Sequence, residues 1–289
     1  MADLPPGYVR AHVVRRDDVT ADLAVFRLRT PEPLPFLPGQ YVTLALPNVS
    51  GRLVKRAYSI VSAPHEPEIE LVVELVEQGE LTPILWPLRE GDGVWARKKI
   101  VGHFVLDAAR TRHVMVCTVT GIAPFLSMMR AHRHARQAGA PVPDHRFLVL
   151  FGASVPVEHG PYRAELEALA REGFVEAVPT ISRAWLAPGW TGERGRVEDV
   201  LRKHLDRLGW APADTAGYGC GYPDMIENVK GILVRAGIPR EHVHEEKYFT
   251  SEDAPAPAAP APPPAPLPVG PPRKPPGAIT LRAVPRKEP

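Results

Sequence analysis

The sequence predicts two folded parts in succession: an antiparallel β-barrel over residues 8–108 and a doubly wound parallel sheet over residues 111–250. In the first part, short runs rich in β-branched residues are separated by turn residues, as in antiparallel barrels. In the second part, short apolar strands alternate with helical patterns, as in doubly wound α/β folds. The chain has 289 residues, which is enough for two domains of roughly 100–150 residues each.

The strand signals of the first part are short and regularly spaced. The predicted strands include residues 24–28, 41–46 and 69–76. Turn sequences such as Pro38-Gly39 separate them. One helical segment, predicted over residues 81–88, interrupts the series.

In the second part, apolar residues recur with the spacing of a strand in some segments and with the spacing of a helix in the segments between them. The predicted strands cover residues 114–117, 147–151, 175–181 and 215–220. The predicted helices cover residues 124–137, 162–172, 197–208 and 223–236. This alternation favours a parallel sheet covered by helices.

Composition excludes several classes of function. Hydrophobic residues make up 44% of the chain and charged residues 24%, as in an ordinary globular protein. A formal net charge of +2 gives no electrostatic support for nucleic-acid binding. No apolar run approaches the roughly 18–20 residues that a membrane span needs.

The N-terminus lacks the pattern of a signal peptide, so we expect a cytoplasmic protein in which Cys117 and Cys220 are reduced thiols. Two cysteines are too few for an iron–sulfur cluster, which needs about four. Any redox cofactor is therefore expected to be organic, and no metal site is expected.

Proline is concentrated at the C-terminus. Residues 252–289 hold fourteen of the 35 prolines, mostly interleaved with alanine, and are predicted to be disordered or polyproline-like. They contain five of the 35 basic and three of the 33 acidic residues, so 30 of each sign remain. A groove that reads polyproline is a candidate partner for this segment.

The segment 118–124 connects the first predicted strand and helix of the second part. Ligands in open α/β sheets bind at such carboxyl ends, often at helix N-termini. Thr120-Gly121 allows a close backbone approach, and Pro124 suits a first helical turn. An ordinary strand-to-helix turn is an equally good interpretation, because the G-x-G-x-x-G fingerprint is absent.

Two further strand ends carry polar signals. The second strand ends without the acidic residue that would bind the ribose of NAD. Ser182-Arg183 ends the third strand and Arg196 follows a loop, a combination that suits a 2′-phosphate. Two solvated arginines are the simpler interpretation, and spacing alone favours it.

Two segments are suited to flat rings. Gly219-Cys220-Gly221 closes the fourth strand with little side-chain bulk, although a lone cysteine usually packs as a small apolar residue. In the barrel, residues 55–60 are predicted to start a strand. There Arg56 offers charge, Tyr58 a ring face and Ser59 a hydroxyl, and a half-exposed strand is the alternative.

Taken together and in this order, these segments resemble the ferredoxin–NADP(+) reductase family of the bacterial type, over about residues 8–249. The family pattern Arg-x-Tyr-Ser matches Arg56-Ala57-Tyr58-Ser59. The resemblance implies that Arg56 holds the pyrophosphate of FAD, that Tyr58 stacks on the isoalloxazine and that Ser59 hydrogen-bonds the flavin N5 edge. It also implies a second FAD-binding stretch, Val72-Val73-Glu74 with Gly79-Glu80-Leu81-Thr82, in which Val73, Gly79, Leu81 and Thr82 are the expected contacts.

The remaining motifs of the family concern NADP(H). The resemblance assigns Thr120 and Gly121 to the phosphate loop, Ser182, Arg183 and Arg196 to the 2′-phosphate, and Gly221 and Met225 to the nicotinamide end. It places Cys220 near the nicotinamide, Glu246 as an orienting or proton-relaying group, and Tyr248 and Phe249 as terminal aromatics. Ser59, Cys220 and Glu246 are thus the expected catalytic residues.

The implied reaction is hydride transfer between NADPH and FAD, with single electrons passing to or from a ferredoxin or flavodoxin. A monomer is expected. The run Arg97-Lys98-Lys99, in a predicted loop of the first part, offers a basic docking edge, although a solvated loop is the simpler interpretation. Two alternatives stay open: the reductase component of an oxygenase, and an interaction protein that docks through its proline-rich segment.

The sequence departs from the family pattern at two places. Val119 stands where the family has a glycine, and a β-branched residue disfavours positive φ. The chain also continues for about forty residues beyond the terminal aromatic, where family members usually stop.

Overall fold

The computed structural model describes residues 4–248. The predictions for Phe249 and for residues 252–289 lie outside the described residues. Within them the chain forms an antiparallel sheet followed by a parallel sheet. Both parts of the predicted fold class are therefore confirmed.

Six antiparallel strands form the first sheet. They are β1 (Tyr8–Asp18), β2 (Leu23–Arg29), β3 (Tyr41–Pro47), β4 (Leu53–Ser59), β5 (Ile69–Glu74) and β6 (Gly93–Arg97). Their spatial order is β4-β3-β6-β1-β2-β5. Just beyond β4, the main-chain N–H of Val61 donates to the carbonyl oxygen of Glu70 in β5, at 2.9 Å. This bond joins the two edges, so the sheet curls into a barrel.

The barrel closes because each strand has one apolar face. Ala11 and Val13 of β1, Phe26 of β2 and Leu44 of β3 are all buried in one cluster. Leu85 of the short helix α1 (Thr82–Leu85) completes this cluster from the chain between β5 and β6.

The second sheet is entirely parallel. Its strands are β7 (Arg112–Thr118), β8 (Arg146–Ala153), β9 (Val175–Ile181), β10 (Glu193–Arg194), β11 (Thr215–Gly221) and β12 (Val243–Lys247). Their order is β10-β9-β8-β7-β11-β12. After β7 the chain builds outward on one side and then returns to the other side at β11. A crevice therefore forms outside the carboxyl ends of β7 and β11, where such sheets bind ligands.

Four helices cover the parallel sheet. They are α2 (Ala123–Gln137), α3 (Tyr162–Arg171), α4 (Val197–Leu208) and α5 (Pro223–Arg235). Each begins and ends within two residues of its prediction, since the apolar period of each is strong. No helix among residues 4–248 is long and apolar enough to cross a membrane.

Two local predictions need correction. The helix predicted over residues 81–88 covers only α1, because Pro87 has no N–H to continue the helical hydrogen bonds. Residues 55–60 were expected at the start of a strand. They instead form the carboxyl-terminal part of β4 and the residue after it, since pairing with β3 already begins at Leu53.

One guanidinium joins the barrel to the parallel sheet. Arg130 of α2 contacts Glu165 of α3 at 2.7 Å, Glu70 of β5 at 3.1 Å and Glu66 at 3.3 Å. Arg130 is 9% exposed and Glu70 is 3% exposed. Burial disfavours the charge of Arg130, but hydrogen bonds and attraction from Glu165, then from Glu70 and Glu66, raise its pKa overall.

Replacing Arg130 with alanine is expected to destabilise the fold by about 1–3 kcal/mol, because it removes the contacts to Glu165 and Glu66 and leaves the buried Glu70 carboxylate with Arg27 as its remaining cation, at 3.0 Å. The measurement is thermal unfolding of the purified protein. Arg202→Ala is the matched control, since the Arg202–Asp206 pair is exposed and lies within one helix. Equal losses of stability in the two variants would contradict this account of the domain contact.

Candidate active site

A cleft lies at the seam between the barrel and the carboxyl end of β7. It encloses about 750 Å³ of space between protein atoms, part of it open to solvent. Its lining comes from β4, from β5 and the loop to α1, from the turn after β7, and from the last described residue. These residues are Arg56, Ala57, Tyr58, Ser59, Val72, Glu74, Val76, Gly79, Glu80, Leu81, Thr82, Thr120, Ala123 and Tyr248.

The end of β4 presents unsatisfied polar groups to this cleft. Arg56 is exposed and forms no ion pair with another described residue. The hydroxyl of Tyr58 is buried and has no hydrogen-bond partner among the described residues. Burial raises the pKa of Tyr58, with Arg56 opposing, so the phenol stays protonated. A free guanidinium and an unpaired phenol beside an apolar wall fit an anionic cofactor with a flat ring.

The loop between β5 and α1 is held tightly. The Thr82 hydroxyl donates to the carbonyl oxygen of Val76 at 2.8 Å and accepts from the Val76 N–H at 3.0 Å. A Cβ on Gly79 would lie 2.9 Å from the same carbonyl oxygen, so only glycine fits there. Gly79, Leu81 and Thr82 therefore line the cleft as the sequence predicts, but the Thr82 hydroxyl is already engaged by the loop.

Within the predicted second FAD-binding stretch, the side chains on either side of Val73 line the cleft. Val73 is 1% exposed and packs in the barrel core. Its neighbours Val72 and Glu74 line the cleft instead, since successive side chains of a strand point to opposite faces. Only the main chain of Val73 remains available to a ligand on that side.

The three expected catalytic residues meet in one cluster. The Ser59 hydroxyl donates to Oε2 of Glu246 at 2.6 Å. The Cys220 sulfur lies 4.0 Å from the same oxygen and 3.3 Å from the Tyr248 hydroxyl. That hydroxyl in turn donates to the carbonyl oxygen of Thr120 at 3.3 Å. The cluster forms because Cys220 of β11 pairs directly with Glu246 of β12.

Burial sets the protonation of this cluster. It raises the pKa of the Glu246 carboxyl, although the hydrogen bond from Ser59 opposes the shift. Burial also raises the pKa of Cys220, and the nearby Glu246 carboxylate adds to the effect. Cys220 is therefore a neutral thiol that shapes the site, since a nucleophile would need the thiolate. Both cysteines are buried and unbridged, as expected.

Two glycines bring the turn after β7 against the end of β11. A Cβ on Gly121 would clash with the carbonyl oxygen of Cys220. Gly221 has a φ of +132°, and a Cβ there would lie 2.5 Å from the Thr118 hydroxyl. The absence of a side chain at Gly121 therefore lets the turn after β7 pack directly against β11. This contact positions the crevice.

Val119 adopts a φ of +41°, and no other non-glycine residue between 4 and 248 has a positive φ. It begins the short 3₁₀ turn Val119–Ile122 that leads into α2. Its side chain packs against the core under α2. A β-branched residue therefore occupies a conformation that glycine adopts without strain.

Replacing Val119 with glycine is expected to give a more stable protein than replacing it with alanine, by about 1 kcal/mol. Both variants lose the same packing, but only glycine relieves the positive φ. The measurement is the difference in unfolding free energy between the two variants. At Val234, a half-exposed position within α5, alanine is expected to be better than glycine by about 1 kcal/mol. A preference for alanine at both positions would contradict the strain.

The groups predicted for a 2′-phosphate lie at the far edge of the sheet. The Ser182 and Arg183 N–H groups donate to the carbonyl oxygens of Ala153 and Ser154, both at 2.9 Å, so the turn after β9 is fixed to the end of β8. Arg196 immediately precedes α4 and is largely exposed, with Glu198 at 3.9 Å. Both arginines therefore lie near carboxyl ends of strands.

One predicted residue lies away from these groups. Met225 is 4% exposed and packs in the core between α4, α5 and the sheet. Its nearest link to the crevice is Gly221, where a Cβ would lie 3.4 Å from the Met225 methyl group. Met225 therefore packs against the end of β11 from the core side.

Two cleft residues, Val76 and Ala123, were missed from the sequence. Val72, Glu74 and Glu80 were included in the second predicted stretch but were not singled out as contacts. The alternation along β5 could have selected Val72 and Glu74, because a cleft on one face of a strand takes every second residue. Ala123 had no sequence signal, since its position depends on how α2 approaches the barrel.

Comparison with known proteins identifies both parts. Residues 10–104 match the oxidoreductase FAD-binding domain family, and residues 115–231 match the oxidoreductase NAD-binding domain family. The chain is 37% identical over 222 residues to ferredoxin–NADP reductase B of Sorangium cellulosum, which covers 74% of this chain and 85% of that protein. It is 38% identical over 251 residues to the flavodoxin/ferredoxin–NADP reductase of Rhodobacter capsulatus, covering 79% and 89%.

These similarities place the chain in a family of two-domain flavoprotein oxidoreductases that bind FAD and a nicotinamide dinucleotide. The chain belongs to the ferredoxin–NADP(+) reductase family. Within this family the relatives differ in partner. The reductase component of phenol 2-monooxygenase from a Pseudomonas species is 31% identical over 242 residues, or 82% of this chain and 64% of that protein.

Solved structures share the fold. The ferredoxin–NADP(+) reductase of Neisseria gonorrhoeae, determined with FAD and NADP bound, superposes with a TM-score of 0.72 at 23% identity and covers 85% of this chain and all of that one. The Amycolatopsis cytochrome P450 reductase GcoB superposes with a TM-score of 0.68 at 26% identity, covering 83% and 69%.

Proposed function

We propose that this protein transfers electrons between NADPH and a small one-electron carrier, a ferredoxin or a flavodoxin, by way of FAD. The cluster of Ser59, Cys220 and Glu246 carries the proposal, because it joins the barrel cleft to the crevice of the parallel sheet. A flavin in the cleft and a nicotinamide in the crevice would meet at this cluster. Bound FAD supplies the chemistry that converts a two-electron donor into single-electron transfers.

The protein's own residues orient the two rings. Arg56 offers its unpaired guanidinium to the pyrophosphate, and Tyr58 and Ser59 face the flavin ring. Glu246 has a raised pKa, so it can hold a proton at the Ser59 hydroxyl or release one. Cys220 supports the nicotinamide side as a neutral thiol.

Tyr248 separates the cleft from Cys220 in the structure. Its hydroxyl is held by two contacts of 3.3 Å, to the Cys220 sulfur and to the Thr120 carbonyl oxygen. The contact to Thr120 is long for a hydroxyl hydrogen bond, and a thiol is a weak hydrogen-bonding group, so we expect a nicotinamide ring to displace the tyrosine hydroxyl at modest cost. Movement of Tyr248 is therefore the step that admits the nucleotide.

Arg183 and Arg196 select NADPH over NADH. Arg183 forms no ion pair with a described residue, so its guanidinium is available to a phosphate dianion. Its main chain is fixed to the end of β8, which limits the freedom lost on binding. The end of β8 itself offers Gly152-Ala153-Ser154, without an acidic side chain for a ribose hydroxyl.

Replacing Arg183 with alanine is expected to raise the Michaelis constant for NADPH by about 10–100-fold, since a charge-assisted hydrogen bond contributes roughly 1.5–3 kcal/mol. The constant for NADH should change little. Steady-state reduction of ferricyanide with each nucleotide measures both. Arg171→Ala, at the end of α3, is a control of equal charge change. Equal effects of Arg183→Ala on both nucleotides would disprove this role.

The carrier is proposed to dock at the barrel. Arg97, Lys98 and Lys99 are all exposed at the end of β6. Leu44 of β3 pairs with both Ala96 and Arg56, so the basic run lies about two strand spacings, roughly 10 Å, from the cleft motif. An acidic carrier attracted to this edge would approach the flavin.

Neutralising these three charges with glutamine is expected to lower the association rate with an acidic ferredoxin several-fold at low salt and to flatten its dependence on ionic strength. Stopped-flow mixing of the reduced protein with the carrier measures the rate. Glutamine at Arg15, Arg29 and Arg89, which are exposed on the barrel and do not line the cleft, removes the same charge. If the variant at Arg97, Lys98 and Lys99 keeps the salt dependence of the wild type, the docking edge is disproved.

A second candidate function is that of a reductase component for an oxygenase. The similarity to the phenol 2-monooxygenase component favours it. A panel of ferredoxins, flavodoxins and oxygenase components, each tested anaerobically with NADPH and NADH, distinguishes the two. Turnover of ferredoxin or flavodoxin with NADPH supports our proposal, and turnover confined to oxygenase components overturns it. A colourless, inactive protein would favour the interaction protein. Monomeric state, cytoplasmic location and a polyproline-reading partner stay predictions.

A further inference from the structure

The cleft contains a carboxylate to which no role has yet been assigned. Glu74 ends β5, where it pairs with Leu23 of β2. Its side chain lines the cleft together with Val72 and Val76. It is accessible from the cleft, whose walls remove part of its hydration.

No cation neutralises Glu74 among the described residues. The other cleft carboxylate, Glu80, pairs with Arg52. The charged groups that act on Glu74 are Asp22, in the turn between β1 and β2, and Glu158, in the turn after β8. Both are acidic.

The remaining titratable groups around the cleft are few. Across it, β4 contributes the cation Arg56 and the protonated phenol of Tyr58, and the chain after β12 contributes the Tyr248 hydroxyl. The turn after β7 and the start of α2 contribute Thr120 and Ala123, which carry no charge. Glu74 is therefore an unpaired acid in a cleft suited to an anion.

We propose that Glu74 takes up one proton from solvent when FAD occupies this cleft, so that FAD is held more tightly as the pH falls. The inference rests on the assignment of the cleft to FAD. Loss of the proton would place a carboxylate beside the phosphates with no cation of its own, and like charges at close range disfavour binding.

The sign of the effect follows from linkage. Loss of hydration, then repulsion from Asp22 and Glu158, already raises the pKa of Glu74 in the free cleft. A bound anion raises this pKa further. Between the two values FAD binding takes up a proton, so affinity is greatest at low pH and falls as the pH rises. Each unit of difference between the two values changes the affinity about tenfold.

The test is release of FAD from the full-length holoprotein on serial dilution between pH 5.5 and 9, read from the fluorescence of free FAD and calibrated at each pH. We expect the dissociation constant of the wild type to rise about tenfold over this range. Glu74→Gln should remove most of that rise and bind FAD more tightly than the wild type at pH 9. Glu77→Gln, an exposed acid three residues away that does not line the cleft, should keep the wild-type dependence.

Other outcomes distinguish a failure of the FAD assignment from a failure of the role of Glu74. If Arg56→Ala weakens FAD binding but Glu74→Gln keeps the wild-type pH dependence, the role of Glu74 is overturned and the cleft stands. If neither variant changes FAD release, the assignment of the cleft fails. If Glu74→Gln alters only the pH dependence of NADP(+) binding, Glu74 takes up its proton when NADP(+) binds rather than when FAD binds, and our inference is wrong. Should Glu74→Gln misfold, Glu74→Asp must retain a pH dependence for the inference to survive.

Discussion

The guanidinium of Arg130 sets the geometry on which the active site depends. It lies on α2, the helix that follows the turn after β7, and it contacts Glu66 and Glu70 of the barrel part and Glu165 of α3. A buried charge held by three carboxylates cannot shift without losing at least one of these contacts. The barrel and the parallel sheet are thereby fixed against each other. On the other side of the seam, the 2.6 Å bond between Ser59 and Glu246 makes a second connection.

The cofactor cleft follows from this arrangement. A flavin bound by the barrel alone would have one exposed face. The parallel sheet supplies Thr120, Ala123 and Tyr248 as the opposite wall, and it places Cys220 and Glu246 at the edge of that wall. Hydride transfer requires two rings at close and defined separation. The contacts across the seam are what give the two sheets a common site.

Much of this arrangement could be predicted from the sequence. The strands and helices of the parallel sheet have strong periodic patterns, so their boundaries agree closely with the structure. Arg56, Tyr58 and Ser59 could be recognised because their spacing is a local property of one strand. The extent of α1 was overestimated, although Pro87 was a visible signal for its end.

Other features depend on contacts that no local pattern contains. The assignment of Val73 required the strand's orientation relative to the cleft, and the structure shows that Val72 and Glu74 face it. The clash that makes Gly121 necessary involves Cys220, about one hundred residues away. The strained Val119 and the unpaired Glu74 break ordinary rules of backbone and charge, and both lie at the sites proposed to bind nucleotides. Exceptions of this kind concentrate at functional sites.

The central claim is that FAD occupies the cleft at the seam between the two sheets. A crystal structure of the yellow holoprotein tests it most directly, through the difference density of the cofactor. Our account predicts the isoalloxazine ring between Tyr58 and Tyr248, with its N5 edge towards Ser59 and the pyrophosphate beside Arg56. Density for the ring outside the cleft lined by β4, the β5–α1 loop and Tyr248 would contradict it.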